Sequence, residues 1–408
     1  MNLRDKLKKY EKNNKNYNPS MKKDRGYLNK KIFPNTIIKN DQGKYLKTQK
    51  IYSKDYKHGL YEINNFFEEL DNYSLKQITN TDTKMKKEDF KDNILFIDTE
   101  TTGLMGGTGT VAFLIGVGYF KNNDFFIEQY LMRDYDEENA MLNDIKKLLL
   151  SFDIIVSFNG KSFDLPLIQT RLILNRLNMP DFNLHVDLLH SARRIWSFLD
   201  SCSLKSLEGN ILNFKRIDDI EGNLIPSIFF RFIEVKDFEL LKPILEHNSY
   251  DILSLVTLFT HLKEIHLGKH KQLSSHEFFH MGRIKEKQKD FANCIKYLKK
   301  AIKAAQEKNI KYRAYKKLSW QYKRINQYEN AVKIWQKMIE EQESGIFPYV
   351  EMAKYLEHKQ KDYKKALYYA EEAKKLLNKN KMNTKNRKCN IEKIEHRRSR
   401  LLKKLNRS

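Results

Sequence analysis

The chain has 408 residues and a net charge of +24, with 40% hydrophobic and 12% aromatic residues. That length suits two or three domains with their own cores, and the apolar content excludes a disordered chain. Cys202, Cys294 and Cys389 are widely scattered, which excludes a cysteine-rich zinc site and a disulfide framework and suits a reducing compartment.

The charge is uneven: +9 over residues 1–90, −8 over 91–260 and +23 over 261–408. The basic ends read as regions for a polyanion, most naturally nucleic acid, or as solvated helical surfaces. The acidic middle would repel the same polyanion unless it carried metal ions. The N-terminal "MNLRDKLKKYEKNN" is charged without an apolar stretch behind it, unlike a secretory signal. The longest apolar run, "VAFLIGVGYF", is about half of what a membrane span needs. The expected location is the cytoplasm, with no membrane partner.

Residues 1–45, rich in Lys and Asn, predict a mobile basic arm. Residues 46–90 predict an extension made of a strand, "KYLKTQKIYS", and a helix, "LYEINNFFEEL". From residue 91 the pattern sharpens. "NILFID", "TVAFLIGVGYF" and "DFFIEQYLM" predict three consecutive antiparallel strands. The helix "DEENAMLNDIKKLLLSF", the strand "DIIVSF", the helix "PLIQTRLILNRLN" and the strand "LHVDLL" follow, then helices from about 190 to 263. This order describes an α/β domain with a mixed sheet over residues 91–263.

Beyond about 265 the strand signal ends. Over 275–380, "FANCIKYLKKAI", "YENAVKIWQKMI" and "YKKALYYAEEAK" repeat an aromatic, a small residue and a helical apolar stripe. The aromatics Phe291, Tyr328 and Tyr363 recur at 37 and 35 residues, near the tetratricopeptide period of 34, with generic helical hairpins as the alternative. Gly282 takes the place of that repeat's helix-A glycine, and Ser319 replaces it in the second unit. Residues 381–408 read as a loose basic tail.

Three acidic stretches carry the chemistry. In "ILFIDTETTGL", Asp98 and Glu100 are two apart on a strand and share a face. In "SFNGKSFDLPL", Asp164 stands between a buried strand and a helix. In "HNSYDILSL", His247 and Asp251 are four apart on one helix face. Each has a plain structural reading alone: a strand end reaching solvent, a helix cap before Leu165 and Pro166, a core histidine, a first-turn acid. Together, four carboxylates converging at one sheet end would destabilise the fold unless divalent cations neutralised them. Oxygen ligands without thiolates select Mg²⁺ or Mn²⁺, and a pair of such ions suits phosphodiester hydrolysis.

"FIDTETTG", "FNGKSFD" and "HNSYD" resemble the three motifs of the DEDD superfamily of 3′→5′ exonucleases, whose fold is ribonuclease H-like. More closely, "TGLMGGTGTVAFLIGVGYF", "LHVDLLHSARRIW" and "SCSLKSLE" resemble the bacterial YprB-like branch, over residues 91–263 with the helical repeats behind. The resemblance implies a ribonuclease H-like mixed sheet flanked by helices, followed by an all-α helical-hairpin domain. It makes Asp98, Glu100, Asp164 and Asp251 the acids for two Mg²⁺ or Mn²⁺ ions, and puts His247 where a Tyr or His serves the attacking water. The chain departs from the pattern there, pairing His with the shorter spacing usual for Tyr. Tyr250, next to Asp251, cannot reach the same face.

The resemblance also places Thr101, Thr102 and Gly103 where backbone amides meet the terminal nucleotide. Asn159 and Lys161 read as phosphate or sugar contacts, or as a polar turn. Arg193 and Arg194 read as phosphate contacts or surface charges, and Asp187 and His190 as structural. The function implied is a metal-dependent 3′→5′ exonuclease acting on DNA or RNA, its repeats holding substrate or a protein partner. The alternatives are an inactive nucleic-acid-binding relative and a repeat-based scaffold.

Overall fold

The computed structural model describes residues 36–82, 90, 92–103, 109–270, 272–341, 345–379 and 385–407. The chain divides into two compact units. The first takes residues up to 193 with 199–270, and the second takes 194–198 with the chain from 271 onward.

A mixed seven-stranded sheet is the frame of the first unit, in the order β1-β2-β7-β6-β5-β8-β9. The strands are β1 (Thr36–Asn40), β2 (Gly43–Tyr52), β5 (Ile94–Thr101), β6 (Ala112–Lys121), β7 (Asp124–Leu131), β8 (Ile154–Ser157) and β9 (Leu184–Asp187). A two-residue ladder, β3 (Lys57–His58) with β4 (Tyr61–Glu62), stands apart. The expected antiparallel run β5–β6–β7 is present, and β8 and β9 continue it in parallel. Central β5 is apolar and buried over Ile94–Ile97, and β8 over Ile154–Val156, as strands with both faces covered are.

Helices α1 (Asn72–Thr79), α2 (Glu138–Leu149), α3 (Asp164–Leu174), α4 (Leu188–Trp196), α5 (Leu204–Asn210), α6 (Ile225–Val235) and α7 (Lys242–Leu267) follow in chain order. One core, including Phe113, Leu142, Phe229 and Phe232, joins the sheet to α2, α3 and α6. Helix α7 is buried along most of its length and ends at Gly268, whose φ of 75° supplies the left-handed cap. It lies against β5 and β6. The approach depends on two missing side chains: a Cβ on Gly116 would meet Asn248 Oδ1 at 1.9 Å, and one on Gly118 would meet Ile252 at 2.5 Å.

Two N-terminal expectations are corrected. Residues 36–45, read as part of a mobile arm, lie in a β1–β2 hairpin whose second strand pairs with β7. Asn40 closes the turn by accepting from the Gln42 amide at 3.0 Å, and it donates to Ala140 O and Asp144 Oδ2. Tyr45, Leu46 and Tyr52 enter the core, which outweighs the polar composition around them. Residues 1–35 of the expected arm lie outside the described residues. The helix expected in "LYEINNFFEEL" is β4 followed by a 3₁₀ turn, Ile63–Phe67, that buries Ile63 and Phe66.

The second unit is helical among its described residues: α8 (Ser275–Lys287), α9 (Phe291–Ala304), α10 (Lys308–Arg324), α11 (Tyr328–Glu340), α12 (Phe347–Tyr355), α13 (Tyr363–Lys379) and α14 (Lys385–Leu405). Phe291, Tyr328 and Tyr363 open α9, α11 and α13, so the repeat seen in the sequence is a repeat of hairpins. A Cβ on Gly282 would stand 3.0 Å from Leu298, so this glycine lets α8 and α9 close on one another. The tail read as loose is instead α14 from Lys385 onward. Its Ile394 and Leu401 are buried, and its Arg400 and Lys404 reach Glu357 at 2.7 and 3.0 Å. A buried acid elsewhere in the unit gives those cations a reason to order.

Candidate metal centre

Strand β5 delivers Asp98 and Glu100 to one face, and a bulge between Glu100 and Thr101 ends the regular pairing there. Bulges of this kind re-aim side chains beside functional sites. Asp164 enters as the first residue of α3, its carboxylate accepting from Thr99 Oγ1 at 2.5 Å. Helix α7 supplies His247, Asn248 and Asp251 on neighbouring positions.

The four acids feel one another. Burial pushes Asp98 well above the usual carboxylate range, and the charges of Asp251, Asp164 and Glu100 add to it against one hydrogen bond from Asn248. Burial lifts Glu100 to about 8; His247 and Arg216 pull it down, while Asp251 and Asp164 push further up. Asp164 rises to about 6 through burial, in spite of the Thr99 bond. Like charges are brought together in a dry place, an arrangement that a bound cation would relieve. One ligand atom each from Glu100, His247 and Asp251 lies within 4.8 Å of the other two, a spacing one ion can bridge. Oxygen donors with one imidazole and no thiolate fit a hard divalent cation.

Side chains that the sequence reading passed over fix this cluster. Asn248 Nδ2 donates to Asp98 Oδ2 at 2.9 Å, while its Oδ1 accepts from Gln129 Nε2 at 2.9 Å. Gln129 in turn accepts from Thr48 Oγ1 at 3.0 Å, so a chain of amides runs from β2 to the first acid. Gly116 makes room for it, and a glycine inside an apolar strand was the signal for that close approach. Arg216 pairs with Glu208 and Asp251. His247 Nδ1 donates to Asp219 Oδ1 at 2.7 Å, and its Nε2 lies 3.4 Å from Asp251 Oδ2. Burial opposes charge on His247, but Asp219, Asp251 and Glu100 outweigh it and raise its pKa. The segment "FKRIDDIEG" has no motif spacing to announce Arg216 or Asp219.

The remaining predicted residues divide. Thr101 Oγ1 donates to Gly103 O at 2.7 Å, and Thr102 is tied to Val111 by its amide at 2.9 Å and its hydroxyl at 3.0 Å. The Thr102 amide is therefore committed within the fold. Asn159 and Lys161 have exposed side chains on the loop between β8 and α3, and both their amides donate to Asp187, at 2.9 and 3.1 Å. Asp187 also accepts from the Leu189 amide at 3.1 Å, a loop-organising role. His190 is 3.9 Å from the same carboxylate. The Tyr250 ring packs against Phe214 and lies 5.8 Å from the Arg216 guanidinium carbon. Arg193 is exposed and Arg194 half-buried on α4.

Residues 95–263 match the model of the RNase_H superfamily, a superfamily of nucleic-acid hydrolases. The chain is also 35% identical over 331 residues to "Uncharacterized protein YprB" of Bacillus subtilis (strain 168), covering 79% of this chain and 78% of that protein. Among the described residues, no helix is long and apolar enough to cross a membrane.

Proposed function

Since the chain belongs to the family of YprB and carries a ribonuclease H superfamily domain, we propose that it is a metal-dependent 3′→5′ exonuclease. The observation that carries the reading is the convergence of Glu100, His247 and Asp251, whose ligand atoms lie within 4.8 Å of one another, beside Asp98 and Asp164, acids that burial pushes upward.

Asp98, Glu100, Asp164 and Asp251 would hold a pair of Mg²⁺ or Mn²⁺ ions. Such ions supply charge neutralisation for a phosphodiester and activation of a water nucleophile. The protein provides the rest. Asn248 and Thr99 hold Asp98 and Asp164 in fixed poses, so the site needs little rearrangement. His247 keeps its Nδ1 proton on Asp219 and turns Nε2 toward Asp251. Once the charge of Glu100 and Asp251 is neutralised, the attraction holding a proton on Nε2 falls and that nitrogen can accept one from water. Thr101 and Gly103 are proposed to meet the terminal nucleotide, with Thr102 holding their loop. Asn159 and Lys161 are proposed to meet phosphate or sugar.

The second unit, most of the stretch 261–408 that carries +23, is proposed to be a tetratricopeptide-like array that holds the polyanion or a protein partner. The expected place of action is the cytoplasm.

The test uses 5′-labelled DNA and RNA oligonucleotides with Mn²⁺, with Mg²⁺ and with EDTA. A ladder shortening from the 3′ end, lost in EDTA, is the expected result. Cleavage that persists in EDTA, or products trimmed from the 5′ end, would overturn the reading.

A further inference from the structure

Arg216 is an arginine with almost no surface, its side chain 2% exposed beside the acid cluster. Its Nε and Nη2 donate to the two oxygens of Glu208 at 2.7 and 2.5 Å, a bidentate fork. Glu208 is itself buried and accepts from Ser254 Oγ at 2.5 Å. Ser254 Oγ lies 2.8 Å from Nε2 of the buried His58. The guanidinium is thus anchored from behind. Forward, Nη2 reaches Asp251 Oδ1, and Nη1 sits 3.7 Å from the Asp219 carboxylate that holds His247.

Two roles fit a cation beside a metal-binding acid. A mobile arginine would stand in for the metal and leave when the ion arrives. An anchored one stays and orients the acid. The Glu208 fork decides between them, because moving Arg216 would strand a buried carboxylate without its partner. Asp251 Oδ1 is engaged, and Oδ2, on the His247 side, remains to face the site.

We propose that Arg216 is a positioning residue: anchored by Glu208, it reserves Asp251 Oδ1 for the protein and presents Oδ2 as the single metal-facing oxygen. Asp219 does the equivalent for His247, fixing Nδ1 and presenting Nε2. Partners that orient ligands in this way typically account for about 10–100-fold in metal affinity. The inference rests on the metal-binding reading above, and its test separates the two.

Full-length protein stripped with EDTA is titrated with Mn²⁺, reading the midpoint of thermal stabilisation and, independently, free Mn²⁺ by electron paramagnetic resonance. Wild type should show a saturable response; its absence would overturn the metal reading and this inference with it. Arg216→Gln should raise the midpoint roughly 10–100-fold. Arg216→Lys, which keeps the charge and loses the fork, should raise it by less. A merely structural role would lower the metal-free melting temperature and leave the midpoint in place, which overturns the proposal. A tighter midpoint in Arg216→Gln would overturn it in favour of a displaced cation. If Arg216→Gln does not fold, Arg216→Lys decides by the same criterion. Failure of both to fold, with or without Mn²⁺, assigns Arg216 to the core and overturns the proposal.

Discussion

Two buried carboxylate centres in this chain have opposite charge balances. In the second unit, Glu357 is a single acid met by Arg397, Arg400 and Lys404. Burial alone would raise its pKa, but the bonds to Arg400 and Lys404 and the charges around it hold it down to about 2. In the first unit, Glu100 and Asp251 stand with His247, Asp251 pairs with Arg216, and Asp98, Glu100 and Asp164 are pushed upward. The Glu357 centre is complete as built and reads as structure. The other lacks positive charge and reads as a site that receives it. The number of charges buried distinguishes them less than whether the protein supplies the counter-charge.

The contrast can be broken at several points. The largest effect should come from Asp98→Ala, which removes an acid from the deficient centre. Nuclease activity should fall to background and the Mn²⁺-induced rise in melting temperature should disappear, while the metal-free protein stays folded. An unchanged metal response in that variant would show that the acids do not share a site.

A smaller effect is expected from His247→Ala. General acid–base assistance typically contributes about 10²–10⁴-fold, so the cleavage rate should fall within that range while the metal-induced thermal shift survives. The pH profiles of the two proteins must be compared, because ionisation of water at the site gives a limb of its own. A variant with the wild-type rate and the wild-type profile would reduce His247 to a packing role.

The smallest effect concerns stability, and its sign differs between the centres. Glu357 has a depressed pKa, so its contribution is complete above about pH 4.5 and is lost as pH falls toward 2. Glu357→Gln should therefore cost about 2 kcal/mol at neutral pH by urea denaturation, and progressively less in acid. Glu100 and Asp164 rise to about 8 and 6, so the native state keeps protons the unfolded chain has already released. Their contribution falls as pH rises through that window. The gain in melting temperature on adding Mg²⁺ should accordingly grow between about pH 5 and pH 8, and a flat gain would contradict the charge deficit.

The deficient centre was largely legible in the sequence. Strand periodicity places Asp98 and Glu100 on one face, and helical spacing does the same for His247 and Asp251. The order β5–β6–β7 followed from apolar runs broken by turns. What supports the acids was not legible, because Asn248, Gln129, Arg216 and Asp219 act through contacts such as Arg216–Glu208, 8 residues apart in sequence, and Asn248–Asp98, 150 apart. Lys-rich composition also hid two ordered segments. The β1–β2 hairpin and α14 are polar by count, and each is ordered by a few buried side chains and one acid partner, Asp144 for the hairpin and Glu357 for the helix. Composition averages over the few residues that decide such cases.

The hairpin has a practical consequence. The family match begins at residue 95, so a fragment trimmed to it would lack β2 and leave β7 with a bare row of backbone donors and acceptors. A sheet left open in that way pairs with other copies of itself and aggregates. Among the described residues the border strand is β1, five residues long, with Lys39 in it and Lys44 and Lys47 opposite it on β2, a short and cationic rim that resists such pairing. Residues 36–52 thus do for solubility what the family-matched segment cannot do alone.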